Sequence, residues 1–229
     1  MSSGTPLDVV ATPLRGAPEP RRINVDSLVI AGWAGRDAAA VERHIRELEA
    51  LGVTRPRATP TFYRVAASLL ATAPAIEVAG TGSTGEAEAV LFSLPDGLWV
   101  GVGSDHTDRT VEAMGVTWSK QICAKPVGRE LWRLDDVAPH WDRLVLRSRA
   151  RQGGEWRLYQ EGSMAALRPP LELAGLHGAP LPPGHAMFCG TPPVIGPIAW
   201  ADLFEVELED PALGRRLVHR YAVTALPLE

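Results

Sequence analysis

Alternating apolar and polar residues run through most of this chain and predict a series of short strands. They are predicted at residues 22–32, 76–78, 86–94, 98–103, 144–148, 156–162, 186–189, 202–209 and 216–226. Gln152, Gly153 and Gly154 form a turn signal between two of these segments, which indicates a β-hairpin. The pattern therefore predicts a mainly β fold.

Helical spacing of apolar residues occurs in fewer places. The strongest example is residues 38–51, followed by Gly52 as a stop signal, and shorter helices are predicted at 66–70 and 109–116. Prolines among residues 1–22 predict a flexible N-terminal arm. No clear linker follows, so residues 23–229 are predicted to form one domain, mainly β with a few short helices (α+β).

Composition and net charge limit the classes of partner that this chain is expected to bind. Of 229 residues, 45% are hydrophobic and 22% charged, which is ordinary for a soluble globular protein. The net charge of -4 gives no electrostatic footprint for nucleic acid or an anionic membrane. The N-terminus lacks a charged-then-apolar signal pattern, and two cysteines form neither a disulfide framework nor a zinc pattern. We therefore expect a cytoplasmic protein that binds neither nucleic acid nor membrane.

Glu86 and Glu88 are the first candidates for chemistry. Side chains two positions apart on a strand point to the same face, so both carboxylates would project together, with Cα atoms roughly 7 Å apart. Two ionised carboxylates this close repel each other unless a cation or a shared proton lies between them, and a hard divalent cation suits oxygen ligands. The alternative is a solvated acidic face, which is the prediction for the similar alternation at Glu205, Glu207 and Glu209.

A second cluster of titratable residues spans residues 105–109, with the sequence D-H-T-D-R. It follows a glycine-containing strand, which permits close backbone approach. The alternative is an Asp-rich turn in which Asp108 caps a helix. The sequence leaves open whether His106 faces a site or the core.

A third candidate is the pair His44 and Glu47. The two residues are three positions apart on the predicted helix 38–51 and therefore share a face. Such a pair can position a water molecule between a base and the group that orients it. The alternative is a surface ion pair.

Taken in order, these pieces resemble the fumarylacetoacetate hydrolase family. Residues 183–197, P-G-H-A-M-F-C-G-T-P-P-V-I-G-P, are similar to that family's P-G-D-v-i-l-T-G-T-P-a-G-V-G-P, and strand 204–208 follows where the family has v-x-v-e-i. The resemblance covers roughly residues 40–225 and indicates a divergent branch. It implies a mixed β-roll or sandwich with one catalytic domain.

The resemblance also implies a metal site. Glu86 and Glu88 correspond to the family's E-x-E, which supplies two metal ligands, and Asp105 corresponds to the third. Lys120 matches the lysine near the metal, although Lys125 could take that role because the central portion is shortened. The cofactor implied is Mg²⁺ or Mn²⁺, with Ca²⁺ as a further option.

Catalytic and substrate-binding residues follow from the same resemblance. His44 and Glu47 match the H-x-x-E pair that polarises the catalytic water, and Lys120 is the third catalytic candidate. The predicted substrate-binding residues are Arg64, Arg109, Glu112, Gly190 and Thr191. Two of them depart from the family pattern, since Arg64 stands where the family has lysine and Glu112 where it has glutamine.

The implied function is hydrolytic cleavage of a C–C bond in a 2-oxo or β-diketo acid through a metal-stabilised enolate. The same chemistry without water attack on the scissile carbonyl would give a decarboxylase, hydratase or isomerase of 2-oxo or dienoic acids. A non-catalytic small-molecule binding module is the third hypothesis. The expected partners are a small carboxylic acid and further copies of the chain, as a homodimer or higher homo-oligomer.

Overall fold

The computed structural model describes residues 4–50, 52, 54–178 and 180–228, without the side chain of Leu48. Strands dominate it, so the predicted mainly β fold with a few short helices is confirmed. The strands are β1 (Thr5–Thr12), β2 (Glu19–Val25), β3 (Ser27–Gly32), β4 (Thr61–Val65), β5 (Leu70–Ala71), β6 (Ala75–Ala79), β7 (Ser83–Thr84), β8 (Ala87–Leu94), β9 (Gly97–Ser104), β10 (Thr107–Asp108), β11 (Lys125–Pro126), β12 (Glu130–Arg133), β13 (Val145–Gln152), β14 (Glu155–Ser163), β15 (His185–Phe188), β16 (Leu203–Asp210) and β17 (Arg215–Leu226).

Helices in the described residues are short. The α-helices are α1 (Ala38–Ala50), α2 (Arg109–Glu112), α3 (Val116–Gln121), α4 (Leu134–Val137) and α5 (Pro170–Gly178), and 3₁₀ turns lie at Ala67–Leu69, Ala138–Arg143 and Met164–Ala166. Helix α1 begins after Asp37, whose carboxylate accepts hydrogen bonds from the N–H groups of Ala39 and Ala40. It confirms the helix predicted at 38–51, whose last residue, Leu51, lies outside the described residues.

Two sheets enclose the main core. The larger has eight strands in the order β2-β1-β12-β9-β8-β15-β3-β4, and the smaller has five in the order β14-β13-β16-β17-β6. Buried side chains of both sheets meet between them, for example Leu91 and Val100 from the larger and Leu146 and Leu208 from the smaller. A second apolar cluster covers part of the larger sheet, so all eight side chains of β8 are buried.

The N-terminal prediction is wrong for most of its length. Residues 1–3 lie outside the described residues, but β1 and β2 pair along seven positions, from Thr5 opposite Val25 to Ala11 opposite Glu19. Leu7, Val9 and Ala11 are buried beneath this pair. Pro20 is tolerated in β2 because this is an edge strand, which leaves one row of backbone groups unpaired. The predicted strand 22–32 is also two strands, divided at Asp26.

The acidic face predicted for β16 is not simply solvated. Glu207 is buried, and its carboxylate lies 3.0 Å from Arg147 Nη1 on the neighbouring strand. Glu205 pairs with Arg149 and Arg220, and Glu209 with Arg147. Arginines on the adjacent strands thus neutralise the carboxylates, which the sequence of β16 alone does not reveal.

None of the helices in the described part of the chain has both the length and the apolar character needed to span a bilayer.

Candidate metal and substrate site

The hairpin β8–β9 brings three carboxylates together. Its register places Ala87 opposite Ser104 and Glu88 opposite Gly103, and the N–H of Asp105 donates to the Glu86 carbonyl at 2.9 Å. Glu86 and Glu88 project to one side of the strand, and Asp105 follows the partner strand at the same end. Ligand oxygens of Glu86, Glu88 and Asp105 consequently lie within 4.8 Å of one another.

Glu88 is the member of this cluster that resists ionisation. It is 2% exposed, and the N–H of Gly190 donates a hydrogen bond to its Oε2 at 2.6 Å. Burial, together with the negative charges of Asp105 and Glu86, raises the pKa of the Glu88 carboxyl well above its ordinary value. An additional positive charge at this position would relieve that conflict.

Asp105 and Glu86 are held ionised by nearby cations. Burial opposes ionisation of Asp105, but Lys120 and Lys125 outweigh it and lower the pKa of that carboxyl. Burial likewise opposes ionisation of Glu86, whose pKa is nevertheless lowered by Arg109 and Lys120. Arg109 Nη2 lies 2.7 Å from Glu86 Oε1, so this pair is a close ion pair.

The two lysines differ in position. Lys120 Nζ donates to Asp105 Oδ2, lies 3.5 Å from Glu86 Oε2 and lines the cavity in front of the carboxylates. Lys125 is fully buried behind Asp105, where its Nζ lies 3.1 Å from Oδ1 and donates to the His106 carbonyl at 2.6 Å. Lys120 is therefore the lysine that faces the cavity, and Lys125 supports Asp105 from inside.

A cavity of ≈ 980 Å³ opens in front of these groups. The predicted residues that line it are His44, Glu47, Glu86, Glu88, Arg109, Glu112, Lys120, Gly190 and Thr191. They come from strands, helices and loops that are far apart in the chain. The structure thus brings these predicted residues together around one cavity, while Arg64 does not line it and Asp105 is fully buried beside Glu86.

His44 and Glu47 lie at the open side of the cavity. His44 Nδ1 is 3.4 Å from Glu47 Oε2, and their side chains are 61% and 72% exposed. The His44 ring lies 5.6 Å from that of Trp33, whose Nε1 donates to the Tyr63 hydroxyl at 3.2 Å. The Tyr63 ring centroid is 5.9 Å from Lys120 Nζ. Trp33 and Tyr63 therefore form a chain of contacts from His44 to the lysine beside the carboxylates.

Arg64 does not reach the cavity, which corrects the prediction that it binds substrate. Its guanidinium donates to backbone carbonyls of Asp26, Leu28 and Val65 instead. Neighbouring side chains on a strand point to opposite faces, so only one of Tyr63 and Arg64 can face the site, and it is Tyr63. The motif match selected the wrong member of this pair.

Two predicted substrate contacts already have protein partners. The Gly190 N–H is occupied by Glu88, and the Thr191 hydroxyl donates to the Ala87 carbonyl at 2.8 Å. Thr191 Oγ1 also accepts from Gln160 Nε2 at 2.8 Å, and the Gln160 Oε1 accepts from the Ala87 N–H at 2.9 Å. These residues position the start of β8. Gln160 was not among the predicted site residues, because its burial and its contacts with Ala87 and Thr191 exist only in the folded chain.

His106 and Asp108, whose roles the sequence left open, have structural roles. His106 faces the core: its Nδ1 lies 3.0 Å from the Tyr221 hydroxyl and its Nε2 2.9 Å from Ser83 Oγ. Burial, aided by Lys125, lowers its pKa to about 3, so the ring is neutral. Asp108 caps α2 by accepting from the N–H groups of Thr110 and Val111, as in the alternative considered above.

The donor set fits a hard divalent cation. Three carboxylates from two adjacent strands offer oxygen ligands at one point, which is the chemistry that Mg²⁺ and Mn²⁺ prefer. The buried, hard-to-ionise Glu88 is stabilised as a carboxylate only if positive charge is added beside it. Glu86, Glu88 and Asp105 are thus the residues that could hold the metal.

A family model described as "protein of unknown function (DUF2848)" matches residues 31–221. Among curated proteins no sequence matches significantly.

Solved structures share the fold at low sequence identity. Cg1458 with an inhibitor is 17% identical with a TM-score of 0.66, covering 92% of this chain and 86% of that chain. Yeast ynq8, a fumarylacetoacetate hydrolase family protein, is 16% identical with a TM-score of 0.63, covering 90% and 95%. A 2-keto-3-deoxy-D-arabinonate dehydratase complexed with magnesium and 2,5-dioxopentanoate is 15% identical with a TM-score of 0.62, covering 88% and 74%. The resemblance drawn from the sequence is therefore confirmed at the level of the fold.

Proposed function

The chain belongs to the DUF2848 family and has the fold of fumarylacetoacetate hydrolase family proteins, and from this premise we propose that it is a metal-dependent enzyme acting on a 2-oxo or β-diketo acid. The observation that carries the proposal is the convergence of Glu86, Glu88 and Asp105, of which Glu86 and Glu88 line the cavity and Asp105 lies buried beside them. The magnesium and the dioxo acid described for the dehydratase of the same fold give further support.

The reaction we propose is hydrolysis of the C3–C4 bond of a 2,4-dioxo acid. Water adds its oxygen to C4, the C3–C4 bond breaks, and C3 takes a proton, so the products are pyruvate and a carboxylic acid. A bound Mg²⁺ or Mn²⁺ would supply Lewis-acid polarisation of the substrate's oxygens.

The protein's own residues would perform the remaining tasks. His44, oriented by Glu47, takes the proton from the attacking water at its ring nitrogen. Lys120, whose pKa is raised by Asp105 and Glu86 against the effect of burial, remains cationic and stabilises negative charge on the 2-oxo oxygen. Arg109 stays ionised and holds Glu86 in place. Gly190 and Gln160 keep the strand carrying Glu88 in position.

A second candidate is a decarboxylase, hydratase or isomerase. The observation that favours it is the exposure of the proposed base: the side chains of His44 and Glu47 are 61% and 72% exposed, whereas Glu88 and Asp105 are buried. These reactions use the same acidic cluster but need no water activated by His44.

The proposed assembly is a homodimer or higher homo-oligomer in the cytoplasm. Trp118 and Ile122 lie four positions apart at α3 and are 67% and 50% exposed, and Met114 in the preceding turn is 82% exposed. Exposed apolar side chains grouped in this way are typical of protein–protein contact surfaces. Light scattering on the purified protein tests the assembly.

The metal site is tested by thermal unfolding of metal-free protein, with Mn²⁺, and with Mn²⁺ plus oxalate. Both additions should raise the Tm, because a ligand that binds only the folded state stabilises it. Glu88→Gln should abolish both increases while raising the Tm of metal-free protein, since a neutral amide still accepts from the Gly190 N–H without the cost of burying a charge.

Glu205→Gln is the matched control. It alters the other E-x-E alternation, whose glutamate pairs with Arg149 and Arg220, so the response to Mn²⁺ should be retained. A wild-type protein whose Tm responds to neither Mn²⁺ nor oxalate would contradict the proposed metal site.

A further inference from the structure

The cavity has two chemically different parts. Its inner end carries the carboxylates, Lys120 and the polar groups of Gln160 and Thr191. Most of the remaining lining is apolar, including side chains of Trp33, Val41, Val116, Leu167, Val194 and Ile198. A 2-oxo acid chelated at the inner end occupies only part of ≈ 980 Å³, so the rest of the substrate must lie against the apolar lining.

The cations that line the cavity are mostly engaged with protein groups. In the described part of the chain they are Arg36, Arg43, Arg109 and Lys120. Arg36 binds both carboxylate oxygens of Asp142, at 2.8 and 2.9 Å, and donates to the Leu167 carbonyl. None of these bonds could pass to a substrate without leaving a protein acceptor unpaired.

Glu112 forms an ion pair with a second cation of the lining, Arg109, and so makes it unavailable to a substrate carboxylate. Arg109 lies between Glu86 and Glu112, with Nη1 3.1 Å from Glu112 Oε2, and both side chains of the Arg109–Glu112 pair are less than one-fifth exposed. Lys120 is engaged by Asp105 and Glu86. Glu112 stands where the resembling family has an uncharged glutamine, so it adds a negative charge that opposes a second substrate carboxylate.

Arg43 is the remaining cation. It has no ion-pair partner among the described residues, but its side chain is on the exposed outer part of α1. An exposed guanidinium keeps its hydration, so it contributes little to holding a carboxylate. Binding of a second substrate carboxylate by Arg43 is the alternative that the experiment must distinguish.

Trp33 contributes an aromatic wall to the cavity. Among the non-glycine residues that the structure describes, Trp33 is the one with a positive φ, of 58°. A bulky side chain adopts this backbone conformation only when its surroundings hold it there. Its indole N–H is bonded to Tyr63 and its ring contacts His44. The Tyr63 ring in turn approaches Lys120, so the wall begins beside the inner end.

We propose that the substrate is a monocarboxylic 2,4-dioxo acid with an apolar acyl group, and that Trp33 is the residue that selects this group. The inference rests on the proposed function, because the 2-oxo carboxylate would bind through a divalent cation held by Glu86, Glu88 and Asp105. The acyl group packs against Trp33, Val41 and Leu167, with no second carboxylate to satisfy.

Binding to the Mn²⁺-loaded protein provides the test. Calorimetry compares 2-oxohexanoate with 2-oxohexanedioate, two ligands of equal length that differ in a terminal methyl or carboxylate and cannot undergo the C3–C4 hydrolysis. We expect the monocarboxylate to bind about tenfold or more tightly, because a buried site rejects an unpaired charge. A dicarboxylate that binds equally or more tightly overturns the proposal.

Variants locate the selecting residue. Trp33→Ala should weaken binding of 2-oxohexanoate about tenfold and leave oxalate, which reaches only the inner end, within about twofold. Trp33→Phe should recover part of the affinity. Arg43→Ala should change neither ligand. If instead Arg43→Ala removes tight dicarboxylate binding, the substrate is a dicarboxylate and the proposal is wrong.

These experiments distinguish a failure of the inference about the acyl group from a failure of the proposed function. Failure of oxalate and both 2-oxo acids to bind Mn²⁺-loaded wild type contradicts the proposed function itself. Tight oxalate binding without preference for the monocarboxylate contradicts only the inference about the acyl group. For catalysis, 2,4-dioxoheptanoate should be hydrolysed with a higher kcat/KM than 2,4-dioxoheptanedioate.

Discussion

His44 and His106 show how differently one residue type behaves in this protein. Both belong to the motifs on which the resemblance rests. His44 is largely exposed at the opening of the cavity, whereas His106 is fully buried between Ser83 and Tyr221. Only an accessible ring can exchange a proton with a substrate-bound water, so His44 is the candidate base. His106 holds the segment after β9 by hydrogen bonds.

The role of His44 can be tested with His44→Gln. If hydrolysis is correct, kcat for pyruvate release from 2,4-dioxoheptanoate should fall about 100-fold, because general bases typically contribute 10²–10⁴-fold. KM and the Mn²⁺-induced rise in Tm should be nearly unchanged. His177→Gln, on a ring outside the cavity lining, is the matched control and should retain full activity. An unchanged kcat in His44→Gln would favour the decarboxylase, hydratase or isomerase alternative.

The loop after β15 is the element on which the acid cluster depends. It contains Gly190, which has φ +95 and donates to Glu88, 102 positions earlier in the chain. A Cβ atom at this position would lie 2.8 Å from the Cβ of Ala34. Both the backbone conformation and the close packing therefore require glycine here.

Gly190→Ala should destabilise the protein through both effects. We expect the free energy of unfolding to fall by about 2–4 kcal/mol, because a positive φ and an overlap of Cβ atoms each cost about 1–3 kcal/mol. Gly154→Ala is the matched control, since its φ is +90 and no atom lies within 4 Å of the added Cβ. It should cost only the backbone part, about 1–2 kcal/mol. Urea unfolding measures both, and equal losses would argue against the clash at Gly190.

At the scale of the whole molecule, buried neutral histidines make stability depend on pH. Burial lowers the pKa of His219 to about 4 and that of His106 to about 3, from an ordinary value of 6.5. Between 6.5 and these values the unfolded chain binds protons that the folded chain does not. Stability is therefore lost as the pH falls through this window. Glu88 acts in the opposite sense, because its raised pKa stabilises the metal-free fold at lower pH.

Urea unfolding of metal-free protein between about pH 7 and about pH 5 should show this decline. Each buried histidine contributes up to about 1.4 kcal/mol per pH unit below its unfolded pKa. His219→Gln removes one titrating group, so the slope of the unfolding free energy against pH should decrease by up to that amount. The same slope in wild type and His219→Gln would contradict a neutral, buried His219.

Local pattern was enough to predict most elements and part of the site. The strands at 76–78, 86–94 and 98–103 and the helix starting at residue 38 all occur close to their predicted positions. Glu86, Glu88 and Asp105 meet because they lie at one end of a single hairpin, where alternation and register are set by neighbouring residues. These features depend on contacts close in sequence, so they can be derived without the fold.

Long-range packing decided what the pattern left open. Parallel pairing of β1 with the distant strand β12 joined the predicted N-terminal arm to the larger sheet, and Arg147 on a neighbouring strand pairs with the buried Glu207. The contact of Gly190 with Glu88, the choice of Tyr63 over Arg64 and the inward ring of His106 each depend on segments distant in sequence. The sequence by itself determined which groups could react. The tertiary structure decided which of them face a common cavity, because burial and charge are properties of the assembled fold.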